Sequence, residues 1–181
     1  MKKILALSVV LLAFSAGMFA QLSATATATA TIVSPLSIVN AGNMNFGNVA
    51  VGAGGGTVVL TPAGGRSTTG DVALPTVIGT VTPAIFTING ESGTSYSITL
   101  PAAAATITSG ANTMTVTGFS GDIVSPATIP GAGTATLRVG ATLNVGGGQA
   151  IGVYTSLAGN EFTVLINYNK AGITKEEQGQ I

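Results

Sequence analysis

From Thr134 to Val145 the chain alternates without a break. Ala135, Leu137, Val139, Ala141, Leu143 and Val145 fall on one side, and Thr134, Thr136, Arg138, Gly140, Thr142 and Asn144 on the other. Successive side chains of a strand point to opposite faces, so this run dictates a strand with one apolar and one wet face. Its length predicts a bend near Gly140. The same period of two recurs at Phe162, Val164, Ile166 and Tyr168 against Glu161, Thr163, Leu165 and Asn167, at Tyr96, Ile98 and Leu100, and at Met114 and Val116. Shorter candidates are Pro35 to Val39, Thr57 to Thr61, Ala84 to Ile88 and Ala150 to Thr155. Beyond the first twenty residues no window carries an apolar stripe at helical spacing. Short strands separated by Gly, Pro, Asn and Ser clusters indicate an antiparallel sandwich or barrel.

The breaks have turn chemistry. Asn89-Gly90-Glu91-Ser92-Gly93 supplies residues that tolerate positive φ between two strand candidates, so Ala84 to Leu100 is expected to form a hairpin. Gly52-Ala53-Gly54-Gly55-Gly56 invites comparison with phosphate-binding loops. The next residues, Thr57-Val58-Val59-Leu60, read as a strand rather than a helix, so a plain loop is expected. Asp71 and Asp122 are single acids, expected in loops as turn formers rather than calcium ligands.

Composition removes most catalytic chemistry. The 181 residues include no His, no Cys and no Trp, and only 7% are charged. No Ser-His-Asp or Cys-His nucleophile can be built, and no ordinary zinc, haem or iron–sulfur site. Ser92 and Ser120 lack a base and lie outside the nucleophile-elbow spacing. Six basic and six acidic groups give no basic footprint for nucleic acid. No enzyme activity, cofactor or metal is expected.

Residues 1–20 read as an export signal. Lys2 and Lys3 precede the apolar run Ile4 to Phe14, and Ser15-Ala16-Gly17 leads to cleavage after Ala20. The run is too short to span a bilayer, so no stable membrane span is expected once the signal is removed. Four basic and six acidic groups remain in the mature chain. The organisation read from the sequence is a signal at 1–20, an N-terminal segment at 21–34, one β-domain at 35–169 and a charged tail at 170–181. In the tail, Thr174 and Glu177 have capping-box spacing, against the default of a disordered terminus.

The N-terminal segment is of low complexity: Ala24-Thr25-Ala26-Thr27-Ala28-Thr29-Ala30-Thr31-Ile32-Val33. In extended form it presents Ala24, Ala26, Ala28, Ala30 and Ile32 on one face and the threonines on the other. Three roles fit: a strand donated to the sheet edge of another subunit, a first strand of its own domain, and a spacer.

These residues carry a resemblance. Ala24 to Val33 followed by Pro35-Leu36-Ser37-Ile38, Met44-Asn45-Phe46-Gly47, Phe86-Thr87-Ile88-Asn89-Gly90 and Tyr96 to Pro101 resembles a family of secreted, pilin-like bacterial domains of unknown function. Leu137 to Leu143, Gln149, Gly152-Val153-Tyr154-Thr155, Gly159 and Phe162 to Tyr168 extend the likeness over about residues 23 to 169. The Gly-x-Tyr turn and the strand ending in Tyr are also similar to spore-coat-protein-U-type and Mat-type fimbrial subunits.

The resemblance implies an all-β, antiparallel, immunoglobulin-like (pilin-like) sandwich of about seven or more strands. It implies an exported subunit of a surface fibre that passes through the periplasm, meets a periplasmic chaperone and an outer-membrane usher, and joins copies of itself by donor-strand complementation. Ala24, Ala26, Ala28, Ala30 and Ile32 would then be donor residues. Phe162, Val164, Ile166 and Tyr168 would lie on the terminal strand that borders the acceptor groove. The relatives usually stop at or just after the terminal tyrosine, whereas this chain continues through Lys170 to Ile181. The alternative is a monomeric secreted binding or adhesin module.

Overall fold

The computed structural model describes residues 22–169. The export signal and the charged tail lie outside them. The chain divides between Ile32 and Val33 into two units. Of the first, residues 22–32 form no strand or helix and are exposed throughout.

The second unit is all-β among its described residues. Its strands are β1 (Ser37–Gly42), β2 (Asn45–Phe46), β3 (Ala50–Leu60), β4 (Arg66–Ala73), β5 (Val81–Thr82), β6 (Ala84–Asn89) and β7 (Ser95–Thr99). They continue with β8 (Ala105–Ser109), β9 (Asn112–Gly121), β10 (Ala127–Thr128), β11 (Thr134–Val145), β12 (Thr155–Ser156) and β13 (Leu165–Tyr168). The large sheet runs β1-β6-β11-β9-β8-β12, with β3 on β11 and β4 on β3. A second sheet runs β10-β7-β13, and β2 pairs with β5. Every pairing is antiparallel. The result is the expected β-sandwich.

The longest alternating run becomes its spine. β11 pairs with β6 from Thr134 to Val139 and with β3 from Ala141 to Val145. The handover falls at Gly140, where the register against β9 also shifts. A Cβ on Gly140 would collide with the Leu60 carbonyl oxygen, so the bend needs a residue without a side chain. Leu137, Val139, Ala141, Leu143 and Val145 are buried. The opposite face is polar: Thr69, Thr57, Asn144, Thr115 and Thr106 stand in one cross-strand row. The Thr57 and Thr69 hydroxyls are 2.7 Å apart, and Asn144 Nδ2 donates to Thr117 Oγ1 at 3.0 Å.

Two apolar clusters fill the interior. One gathers Phe46, Val58, Leu60, Val72, Val116, Leu143 and Val145 under β3, β9 and β11. The other gathers Ala84, Phe86, Ile88, Tyr96, Ile129, Leu137, Val139 and Val164 between the two principal sheets.

Several local expectations change. The Asn89–Gly93 turn does not close a hairpin, because β6 pairs with β1 and β11 whereas β7 pairs with β10 and β13. The turn is a corner that carries the chain from one sheet to the other, since both strands must put an apolar face into the same core. Gly52 to Gly56 is no free loop but the bulged stretch of β3, and Asp71 sits opposite it within β4. Its carboxylate accepts from Gly54 N–H at 3.1 Å. Asp122 follows β9 and holds Arg138, accepting from its main-chain N–H at 2.8 Å and pairing with its guanidinium at 3.4 Å. The Ala150 to Thr155 candidate shrinks to Thr155–Ser156, and the terminal strand starts at Leu165.

Candidate functional site

Two strands at opposite ends of the chain each keep an unpaired edge among the described residues. β1 pairs only with β6, and β13 only with β7. Both lie over the second cluster: Leu36 and Ile38 pack on it from the β1 side, and Phe162, Ile166 and Tyr168 from the β13 side, all partly buried. An edge strand offers a row of backbone donors and acceptors to any added strand. The partly buried apolar side chains beside each edge also offer it apolar seats.

The terminal segment forms one wall. Val164 is buried, and Phe162, Ile166 and Tyr168 are half-buried, while Thr163, Leu165 and Asn167 are exposed. All four expected residues thus share the inward face, although Phe162 and Val164 precede the strand proper. Phe162 is seated by two rings: Phe119 lies 4.8 Å away, centroid to centroid, and Phe86 meets it edge-on at 6.3 Å. Such pairs hold a ring more firmly than its buried area alone.

One end of the seam is tied. Tyr168 Oη donates to the Ser34 carbonyl at 3.0 Å and accepts from Glu91 N–H at 2.8 Å, and Ser34 N–H donates to Glu91 Oε2 at 3.2 Å. Gly90 leaves room for this, because a Cβ there would come 2.8 Å from Tyr168 Oη and 3.1 Å from Leu36 Cδ1. Periodicity finds Tyr168. No local signal in the sequence points to Ser34, Leu36 or Glu91 as its neighbours.

The expected donor residues lie just upstream. Ala24, Ala26, Ala28, Ala30 and Ile32 are exposed and in no strand, and Ile32 is 97% exposed.

One cleft lies away from the seam and a second at the Phe162 end of its wall. One of about 300 Å³ is lined by Val51, Gly52, Asp71 and Val72, the other of about 200 Å³ by Ala104, Thr106, Glu161 and Phe162. In each the carboxylate already accepts from a backbone N–H of its own bulge or loop, Asp71 from Gly54 and Glu161 from Gly159. No group of three or more His, Cys, Asp or Glu side chains could hold a metal among the described residues.

Residues 36–168 match the family described as Domain of unknown function (DUF4402). The chain belongs to this family. The matched stretch begins at Leu36 and ends at Tyr168, so the DUF4402 domain takes in both walls of the seam and leaves out the Ala-Thr segment. Comparison with curated proteins and with solved structures gives no match. The family's description carries no activity, ligand or partner.

Proposed function

We propose that this DUF4402 protein is an exported structural subunit of a bacterial surface fibre, in which the Ala-Thr segment of one copy completes the sandwich of the next. The observation that carries the reading is the pair of edges left unpaired among the described residues, β1 and β13, each with partly buried apolar side chains packed on one cluster. In the seven-strand immunoglobulin-like layout, β1-β6-β11-β9 takes the A-B-E-D places and β7-β13 the C-F places. The G place, beside β13, has no strand among the described residues.

The Ala-Thr segment suits that place. It is extended by composition, alternates strictly, has no Gly or Pro, and lies in no strand among the described residues. Its knobs are small, which fits a seam already lined by the partly buried Leu36, Ile38, Ile166 and Tyr168. Donation supplies main-chain hydrogen bonds for affinity and alternate side chains for fit. Periplasmic chaperone and usher assistance, and a final place on the cell surface, belong to the same proposal through the resemblance to fimbrial subunits. A small-molecule binding module is less well served, because both clefts spend their carboxylates on their own backbone.

The test is deletion of residues 22–33 in the mature protein. The truncated chain is expected to stay folded and monomeric and to bind a peptide of residues 22–33, whereas the intact chain forms fibres visible by electron microscopy. A truncated chain that neither binds the peptide nor differs from the intact chain in association overturns the reading. Peptide binding gained only after removal of residues 170–181 would show that the chain's own tail fills the seam.

A further inference from the structure

The three-way tie at the end of the seam raises a question of competition. A donor segment attached to the body that bears the acceptor edge has an effective concentration there in the millimolar range if its linker allows the approach, and near zero if it does not. Insertion into its own seam would then outcompete insertion into a neighbour at any ordinary protein concentration. In this chain the approach requires a reversal between Val33 and Ser37, since the segment would have to turn back antiparallel to β1 to reach the place beside β13. A connection of two to four residues is a common hairpin length, so length alone does not forbid it.

The local chemistry does. Ser34 is the pivot of such a reversal, and both of its main-chain polar groups are engaged: the N–H by Glu91 Oε2 at 3.2 Å and the carbonyl by Tyr168 Oη at 3.0 Å. Pro35 follows, which confines Ser34 to extended backbone, removes a turn donor and fixes its own φ. Leu36 is then seated beside Gly90 and the second cluster. Reversal would break both Ser34 hydrogen bonds.

We propose that Ser34, Glu91 and Tyr168 form a clasp that bars the Ala-Thr segment from its own seam and so directs it to a second copy of the chain. This rests on the donor-strand reading above. Glu91 and Tyr168 act as positioning residues. The clasp selects between closed monomer and open-ended polymer, a choice that the donor and acceptor surfaces, identical in both, cannot make.

The chain has no cysteine, so an engineered pair reports the choice directly. Leu165→Cys, on the exposed face of β13, is combined in turn with Thr25→Cys, Thr27→Cys and Thr29→Cys in the mature chain and oxidised. With the clasp intact, one of these pairs is expected to give a ladder of disulfide-linked multimers on a non-reducing gel. Adding Glu91→Ala and Pro35→Gly should move the product to an internally linked monomer, raising the monomer-to-multimer ratio by about tenfold, as loss of the Ser34–Glu91 hydrogen bond and of the proline restraint implies. Glu91→Gln keeps an acceptor oxygen and should restore most of the ladder when Pro35 is present. An unchanged ladder in the Glu91→Ala, Pro35→Gly chain overturns the clasp and leaves the donor reading standing. A ladder-free, internally linked product with the clasp intact overturns it as well. No disulfide in any pair, with or without the clasp, overturns the donor reading itself. Glu91→Ala alone is the second variant should the double change melt below the assay temperature, and it must shift the ratio in the same direction.

Discussion

Val164 and Thr163 are neighbours in sequence and opposites in environment. Val164 is 6% exposed and belongs to the cluster between the sheets, while Thr163 faces solvent. A carboxylate at Val164 would be buried without a partner, at a cost of several kcal/mol. Val164→Asp is therefore expected to be insoluble or to melt far below the parent, and Thr163→Asp to melt within a few degrees of it. Equal melting of the two variants would reverse the face assignment.

Tyr96 gives the chain a pH-dependent element. Burial pushes its phenol above the ordinary value of about 10. A raised folded-state pKa means that the native state holds the proton where the unfolded state has released it. This contribution is complete below about pH 10 and is lost as pH rises through the folded value. Tyr96→Phe, which keeps the ring, should flatten the fall in stability above pH 10 in denaturant titrations. An equally steep fall in the variant would place the alkaline transition elsewhere.

Strands β11 and β4 mark the two extremes of what local pattern reveals. In β11 every second residue from Leu137 is apolar and buried, and the one glycine between two apolar stretches marks the switch of partner from β6 to β3. A Cβ at Gly140 has nowhere to go but into the Leu60 carbonyl, so Gly140→Ala should destabilise by about 1–3 kcal/mol, read as a lower denaturant midpoint. In β4, Arg-Ser-Thr-Thr-Gly-Asp-Val-Ala has a single buried apolar residue, Val72, and no period to detect. It is a strand because β3 offers an edge, with Arg66 Nη1 donating to the Phe46 and Asn48 carbonyls at 2.6 and 3.0 Å. For the Ala-Thr segment, a shift of two residues exchanges Ala for Ala and Thr for Thr over most of its length, so Ile32 is the one large knob able to fix register. Ile32→Ala should leave monomer stability unchanged and weaken fibres by several-fold in dissociation by denaturant.

For the molecule as a whole, charge is nearly absent from both core and seam. The described residues contain no buried charged group, and Arg138–Asp122 is the one ion pair among them. Assembly through backbone pairing and small apolar knobs should then depend weakly on salt. Peptide binding by the truncated chain is expected to change less than about threefold between low salt and roughly 0.5 M, where screening is nearly complete. A steep loss with salt would instead assign recognition to Glu91 and the other exposed charges.

The β class, the long central strand and the inward face of Phe162, Val164, Ile166 and Tyr168 were all present in the order of residues, because alternation is a property of consecutive side chains on one pleated backbone. The expectation of no ordinary nucleophilic or metal chemistry rests on which residue types are present, with no His and no Cys in the chain. The sheet to which each strand belongs could not be read that way. Asn89–Gly93 has the chemistry of a hairpin turn and serves as a corner, since partner choice depends on which faces must share a core. The clasp joins Ser34, Glu91 and Tyr168 across as many as 134 positions of chain. Such contacts leave no periodic trace, and only the packing of β1 and β13 over one cluster brings them together.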